Sequence, residues 1–347
     1  MKLFHLSHTD LDGYSCHLIT KEFFKEGFFF NANYGLEVKL SIKKILEDIL
    51  EYKDEEILFL ISDLNLTFNE SKDLDKNIKQ LNENGFKIKL QLLDHHATGK
   101  KSADQFDWYF LDINRCAAKI VYDYMIKEYE EFALRCSWLS PLIDSVNAID
   151  IWLDHEEKNF EFGKVLLSMV SKVREINNIL FPDLNREFRL FLLKESSKYL
   201  DVKNGNINLD NDIHSIKKSF LKQDEDDNTI DNLSAKYLVN SLEQLKDKLT
   251  ITYKEHKGLL TYTLGSISIP ANAFLKANPD YDFFIDISKK GNASFRADGK
   301  VDVSLIAQKL ANGGGHVNAS GARFEDFKES IDYKVVKDFI QTKLDSL

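Results

Sequence analysis

Leu92-Leu93-Asp94-His95-His96 is the stretch on which the fold of this chain turns. It closes an apolar run, Phe86 to Leu93, that reads as a buried strand. A strand that stops on Asp-His-His delivers three polar groups to one sheet edge. In an open α/β sheet, ligands bind in the crevice outside the carboxyl ends of the strands. Two earlier apolar runs stop in the same chemistry. Phe4-His5-Leu6-Ser7 leads into His8-Thr9-Asp10-Leu11-Asp12-Gly13, and Ile57-Leu58-Phe59-Leu60-Ile61-Ser62 leads into Asp63. Three predicted strands therefore each end in His or Asp, and the convergence points to one polar site.

Between these runs the apolar spacing is helical. Gly13 to Glu26 places Tyr14, Leu18, Ile19 and Phe23 on one face, and Leu40 to Leu50 does the same with Ile42, Ile45, Leu46 and Ile49. Leu64 to Asn84 is expected to be mostly helix, closed by Gly85. Phe28 to Tyr34 and Trp108 to Leu111 read as short strands, and Ala97 to Gln105 as a polar loop. Alternation of strand and helix predicts a doubly wound, mainly parallel sheet. A helix over Arg115 to Tyr129 opens with Cys116-Ala117-Ala118, small residues that suit either close backbone approach or plain helix–sheet packing. A helix over Ser140 to Ala148 is followed by Asp150, a fourth acidic residue at the end of an element, with Asp144 and Asp154 competing for that role.

From Phe160 to Leu249 the pattern is helical and carries no visible chemistry, and Gln223 to Asp231 reads as an acidic, solvated loop. A smaller α/β unit is expected from near Thr252. Leu259 to Leu264, Phe283 to Ile287 and a run from Asn292 read as strands, and Val303 to Leu310 as a helix before the loop Asn312-Gly313-Gly314-Gly315-His316.

Composition bounds the class. A chain of 347 residues is long enough for two domains. With 43% apolar and 29% charged residues, it has the make-up of an ordinary globular protein. The formal charge of −10 argues against gripping long duplex DNA by charge, though it leaves room for a local pocket for one or two phosphates. Cys16, Cys116 and Cys136 are odd in number and widely spaced, so neither a disulfide framework nor a thiolate zinc site follows. No apolar run approaches the roughly 20 residues of a membrane span. The chain begins directly on a strand, with no signal-peptide layout. A cytoplasmic protein without a membrane partner is expected.

The set His8, Asp10, Asp12, Asp63, His95 and Asp150 is rich in nitrogen and oxygen and lacks thiolate. Such donors suit Mn²⁺, Mg²⁺ or Fe²⁺ better than structural zinc. Six candidates are too many for one open site, whereas two ions sharing a carboxylate fit. Two-metal sites clamp the attacking and leaving oxygens of a phosphoryl displacement.

These stretches resemble the Asp-His-His (DHH) phosphoesterase superfamily. SHTDLDGYSC (residues 7–16) looks like its first motif, LISDLN (60–65) its second and LLDHHATGK (92–100) the one that names it. NAIDIW (147–152) resembles the fourth, acidic motif, and ASFRADGKVDVSLIAQKLANGGGHVNASGARF (293–324) resembles the DHH-associated domain with its Gly-Gly-Gly-His signature. The resemblance implies that His8 and Asp10 hold one ion, that Asp12, His95 and Asp150 hold the other, and that Asp63 bridges them. His96 would contact the scissile phosphate and Asp94 would orient a neighbouring imidazole. It implies two Mn²⁺ ions as cofactor, with Mg²⁺ or another divalent ion as the alternative. Arg296 with Gly313, Gly314, Gly315 and His316 would bind the far end of the substrate. Independently of the family, glycine N–H groups can line up as an anion nest.

The expected layout is a metal-binding catalytic domain at 1–185, a helical connector at 186–250 and a substrate-binding domain at 251–347. The expected activity is metal-dependent hydrolysis of very short oligonucleotides, such as 5′-phosphorylated dinucleotides, with pAp as a further substrate. Within the superfamily this resembles the bacterial short-oligoribonucleotide exonucleases, and a homodimer is compatible with it. The alternatives are a cyclic-nucleotide or cyclic-dinucleotide phosphodiesterase, an inorganic pyrophosphatase, and, in another class, a nucleotide-binding regulatory protein without turnover.

Overall fold

The computed structural model describes residues 1–24, 26–224, 227–330 and 332–347. Strand and helix alternate as the apolar runs predict: β1 (Lys2–Ser7), α1 (Leu11–Phe23), β2 (Gly27–Asn31), α2 (Leu36–Ile49), β3 (Glu56–Ser62), α3 (Phe68–Glu83) and β4 (Lys87–Asp94). A short helix α4 (Lys100–Ala103) then leads to β5 (Tyr109–Leu111). Every pairing is parallel, in the order β2-β1-β3-β4-β5. The chain leaves β1 toward β2 on one side, then crosses to β3, β4 and β5 on the other. The winding therefore reverses between β1 and β3, and a crevice opens at the carboxyl ends of strands at such a reversal. His8 and Asp10 follow β1 and Asp63 follows β3, so topology alone sets two of the motifs on either side of the crevice.

The sheet holds its helices by alternation of side chains. Phe4, Leu6, Phe59, Ile61, Leu90 and Leu92 pack with Ile45, Ile49, Leu74 and Ile78 of α2 and α3. The opposite face of β1 and β3 is partly polar near its carboxyl end. Buried His5 is held between Thr20 Oγ1 and Ser62 Oγ, each 2.8 Å from a ring nitrogen. At the start of α3, Thr67 and Glu70 form a reciprocal cap.

Beyond β5 come α5 (Ala117–Glu128), α6 (Glu130–Cys136) and α7 (Ser140–Asp150). Two expectations are corrected here. The segment expected as a polar loop, Ala97 to Gln105, is a 3₁₀ turn running into α4, tied down by buried Ser102, which accepts from Ser71 Oγ at 3.0 Å. The helix expected to end at Ala148 continues to Asp150, so that carboxylate rides on its last turn. Of the helix expected over Gly13 to Glu26, residue 25 lies outside the described residues.

The helical stretch contains α8 (Glu157–Ser171), α9 (Pro182–Ser196), α10 (Gly205–Leu221), α11 (Ile230–Glu243) and α12 (Lys246–Leu249). Residues 225 and 226 of the acidic stretch lie outside the described residues. The chain divides into two compact units, Met1–Val173 with Arg186–Ile216, and Arg174–Asn185 with Lys217–Leu347.

The second unit contains β6 (Thr250–Tyr253), β7 (His256–Tyr262), α13 (Ser268–Ala277), β8 (Phe283–Ile287), β9 (Asn292–Ala297), α14 (Val303–Ala311), β10 (Gly314–His316), β11 (Ala319–Arg323) and α15 (Tyr333–Asp345). Its mixed sheet runs β10-β11-β9-β8-β7-β6. One face of that sheet packs Leu260, Phe283, Ile285 and Phe295 against Val303 and Ile306 of α14 and Val336 and Ile340 of α15. The Gly-rich segment expected as a loop is an edge strand, antiparallel to β11. Gly315, at φ 149°, lies where a Cβ would come within 2.5 Å of the Ala319 carbonyl oxygen, so the hairpin closes this tightly only with glycine there.

Candidate metal centre

The strand ends of the first unit, with the last turn of α7, bring seven of the predicted residues together at one sheet edge. Asp10 caps α1, accepting from the Gly13 N–H at 3.0 Å, and its second oxygen lies 2.8 Å from Nδ1 of His8. Asp63 sits just past β3 at φ 56°, a left-handed conformation that Asp tolerates better than most residues. This geometry turns its buried carboxylate inward, with Oδ2 3.7 Å from Nδ1 of His8 and Oδ1 3.4 Å from Nε2 of His95. The same Nε2 lies 3.8 Å from Oδ2 of Asp12 and 3.7 Å from Oδ2 of Asp150. His8, Asp10 and Asp63 form one group whose ligand atoms all lie within 4.8 Å of one another, and Asp12, His95 and Asp150 form a second. Asp63, His95 and His96 satisfy the same criterion. Asp144 is occupied elsewhere, 2.6 Å from the Lys119 ammonium.

Asp12 is fully buried, and the reason it can be so lies in α5. The N–H groups of Ala117 and Ala118 donate to Oδ2 and Oδ1 of Asp12, each at 2.7 Å. The first N–H groups of a helix have no partner within it and carry the positive end of its dipole. The small residues at this helix start thus serve close backbone approach to a carboxylate of the cluster. Their spacing hinted at this without deciding it against packing.

The electrostatics favour a cation. Burial, then the charge of Asp10, pushes Asp12 up to about 6, against the two backbone donors that favour its ionised form. Burial and the charge of Asp12 push Asp150 up to about 7. Burial, with Asp12 and Asp10, holds Asp63 well above the usual carboxylate range. Asp10 differs: burial opposes its charge, but the hydrogen bond and charge of His8 bring it down to about 2. Burial lowers His95, which keeps the imidazole neutral and its nitrogen a donor of electrons. Oδ2 of Asp63 is buried and has no hydrogen-bond partner among the described residues. An orphaned carboxylate oxygen beside imidazole nitrogens and mutually repelling carboxylates fits a divalent cation, and the N/O donor set suits a hard or borderline one.

Behind these groups runs a supporting chain. His96 Nδ1 is 2.7 Å from Oδ1 of buried Asp94, whose Oδ2 accepts from the Tyr109 hydroxyl at 2.8 Å. The bond to Asp94 raises the pKa of His96. Gly99 makes room for this arrangement, since a Cβ there would lie 2.1 Å from Tyr109 Oη. The hydroxyl of Tyr34 stands 3.2 Å from Nε2 of His96. Neither tyrosine was singled out in the sequence. Tyr109 lies on one predicted strand and Tyr34 at the end of another, which in the structure stops at Asn31, and neither position carries a local pattern that ties it to His96.

In the second unit, sheet register sets His316, Ala319 and Arg296 in one row across β10, β11 and β9. The Arg296 guanidinium donates to Ser268 Oγ at 2.9 Å and to the Phe295 carbonyl at 2.8 Å. It borders a cavity of about 770 Å³ that is also lined by Lys236, Lys276, Asn240, Asn272 and Asn318. Gly314, Gly315 and His316 are exposed along the edge strand.

No family model matches the chain. A 3′,5′-cyclic-nucleotide phosphodiesterase of Helicobacter pylori (strain ATCC 700392 / 26695) is 45% identical over 342 residues, 98% of this chain and 98% of that one. The crystal structure of an uncharacterized protein from Helicobacter pylori G27 is similar along the whole of both chains, with a TM-score of 0.92 at 44% identity. Manganese-bound RecJ from Thermus thermophilus matches distantly, with a TM-score of 0.35 and 15% identity over 99% of this chain and 51% of that one.

Proposed function

The chain belongs to the DHH phosphoesterase superfamily and is a metal-dependent phosphodiesterase, and from that premise we propose that its substrate is a 3′,5′-cyclic nucleotide, whose ring diester it opens to a nucleoside monophosphate. The observation that carries this reading is the 45% identity, over 98% of both chains, to a phosphodiesterase of that specificity.

In this reading His8, Asp10 and Asp63 would hold one divalent ion, and Asp12, His95 and Asp150 a second, with Asp63 placed to serve both. Mn²⁺ suits these donors, and Mg²⁺ is the alternative. Bound, the ions supply an acidified water as nucleophile and positive charge for the phosphoryl oxygens. The chain supplies the rest. The N–H groups of Ala117 and Ala118 keep Asp12 facing the site. Asp94, braced by Tyr109, fixes the plane of the His96 ring and favours its protonated form, so His96 is placed to donate a hydrogen bond to the phosphate or its departing oxygen.

A second reading, hydrolysis of a short 5′-phosphorylated dinucleotide, is favoured by the Arg296–His316 row. Arg296 has no carboxylate partner among the described residues, and its planar fork suits phosphate. The test is a substrate panel with the purified chain and Mn²⁺: cyclic AMP, cyclic GMP, pApA, pAp, cyclic dinucleotides and pyrophosphate. Chelator-sensitive turnover of cyclic AMP is expected. Cleavage of pApA with cyclic AMP untouched would move the assignment to the second reading.

A further inference from the structure

Helix α7 carries Asp150 to the metal centre and stops there. Two backbone bonds close its end, Ile151 N–H to the Asn147 carbonyl at 3.2 Å and Leu153 N–H to the Ala148 carbonyl at 2.7 Å. Between them lies Trp152 at φ 60°. Helix ends place glycine at this position by preference, because the Cβ of an L residue crowds the following carbonyl in the left-handed region. Tryptophan puts a large β-substituent there. Burial does not offset that strain, since Trp152 is 67% exposed. Its ring meets Phe160 edge-on, with centroids 5.1 Å apart, and leaves its broad surface to solvent.

A strained residue held at a site is a reason to look for function. The two other tryptophans are engaged. Trp108 donates its indole N–H to Asp75 at 3.1 Å, and Trp138 lies under the Lys194 ammonium at 5.7 Å. Trp152 is two residues past a carboxylate of the metal centre, on a turn rather than among the ligands. That is the place a base-binding surface needs, because a ribose separates the base of a nucleotide from its phosphorus. Stacking on an aromatic ring holds any base, since every base has a π-face. The half-exposed Tyr34 ring lies 5.1 Å from that of His8, so the rim of the same centre bears an aromatic ring there as well.

We propose that Trp152 is the base-stacking surface of the active site, where the indole receives the nucleobase and sets the preference for nucleoside diesters over other phosphodiesters. The proposal rests on the phosphodiesterase reading of the metal centre. It explains why an exposed indole occupies a backbone position suited to glycine.

The test compares Trp152→Gly, Trp152→Ala and Trp152→Phe on two substrates, cyclic AMP and base-free ribose 3′,5′-cyclic phosphate. The preference for cyclic AMP should fall about ten-fold in the Gly and Ala variants, mainly through KM, within the range seen when a stacking ring is removed. Phe should retain more of it. The Gly variant should melt above the Ala variant, because glycine relieves the positive φ. An unchanged preference would overturn the proposal, whether activity on both substrates holds or falls together. A direct readout is quenching of tryptophan fluorescence on titration with AMP, expected in the wild type and diminished in Trp152→Phe. If neither diester is hydrolysed with any divalent cation, the phosphodiesterase reading fails and this titration decides the role of Trp152 alone. A quench unaltered in Trp152→Phe would then overturn it.

Discussion

Oδ1 of Asp63 lies 3.4 Å from Nε2 of His95, longer than an ordinary hydrogen bond. The other oxygen of the same carboxylate faces His8 from 3.7 Å. One side chain thus spans the two ligand groups, and it does so because its backbone is left-handed. Asp63→Asn keeps the size and tolerates φ 56° but loses the charge that both ions would share. It should cost at least about 10²–10³ in kcat, the scale of losing one preorganised electrostatic partner. Steady-state kinetics with Mn²⁺ titration calorimetry checks this, and near-normal turnover in the variant would remove the bridging role.

Asp150, and neither Asp144 nor Asp154, is expected to complete the second ion site. Calorimetric titration of Mn²⁺ into Asp150→Asn should show the weaker ion lost or its affinity reduced at least about ten-fold. Asp144→Asn, which breaks the ion pair with Lys119, should bind as the wild type does. The opposite pattern would reassign the ligand.

The chain Tyr109–Asp94–His96 predicts an effect through orientation. Asp94→Asn keeps the shape but weakens the hold on Nδ1 of His96, and should lower kcat about 10–100-fold with little change in KM. Gly99→Ala should act in the same direction, because its Cβ would displace Tyr109 Oη from Asp94. A change confined to KM would argue that His96 binds substrate without taking part in the chemistry.

Asp12 and Asp150 should destabilise the metal-free protein increasingly as pH rises from about 4 to 7. Asp12 stands at about 6 and Asp150 at about 7 in the folded chain, against roughly 3.9 for an unfolded aspartate. Across that window these two carboxylates hold protons in the folded state that they lose in the unfolded one, so their own contribution to stability falls with each rise in pH, while His5 and His17, which burial keeps neutral, pull the other way. Divalent ions should reverse the trend by binding the ionised carboxylates, with proton release on binding near pH 6.5. Thermal melts from pH 4.5 to 8 with EDTA and with Mn²⁺ test this. The metal-free midpoint of the wild type should fall toward pH 7 relative to that of Asp150→Asn, and a difference that did not fall would contradict it.

Arg296→Ala separates the two substrate readings. If the row with His316 anchors a second phosphate, kcat/KM for pApA should fall by about 1.5–3 kcal/mol, the range for a hydrogen bond to a charged group. Cyclic AMP has no second phosphate and should lose less. Equal losses on both would deny Arg296 that role.

Local chemistry determined a good deal of this protein. Buried parallel strands must be apolar almost throughout, so the runs ending at Ser7, Ser62 and Leu93 were legible, and so were the His and Asp residues placed immediately after them. Contacts set by distant parts of the chain were not. Nothing near Asp12 says that the backbone of Ala117 and Ala118, more than 100 residues away, will satisfy both of its oxygens. Nothing near His96 names Tyr34 or Tyr109. Which of Asp144, Asp150 and Asp154 comes near His95 depends on helix length and phase. Six residues at about 100° each turn Asp144 well away from Asp150, where Lys119 meets it, and α7 ends before Asp154. The strand order, with its reversal between β1 and β3, is likewise a tertiary fact, because the same alternation of strand and helix suits several windings. Periodicity reports which face of an element is buried and where the element stops. Which neighbour buries that face, and which polar groups then meet at the edge, is decided only when the packed layers choose their partners.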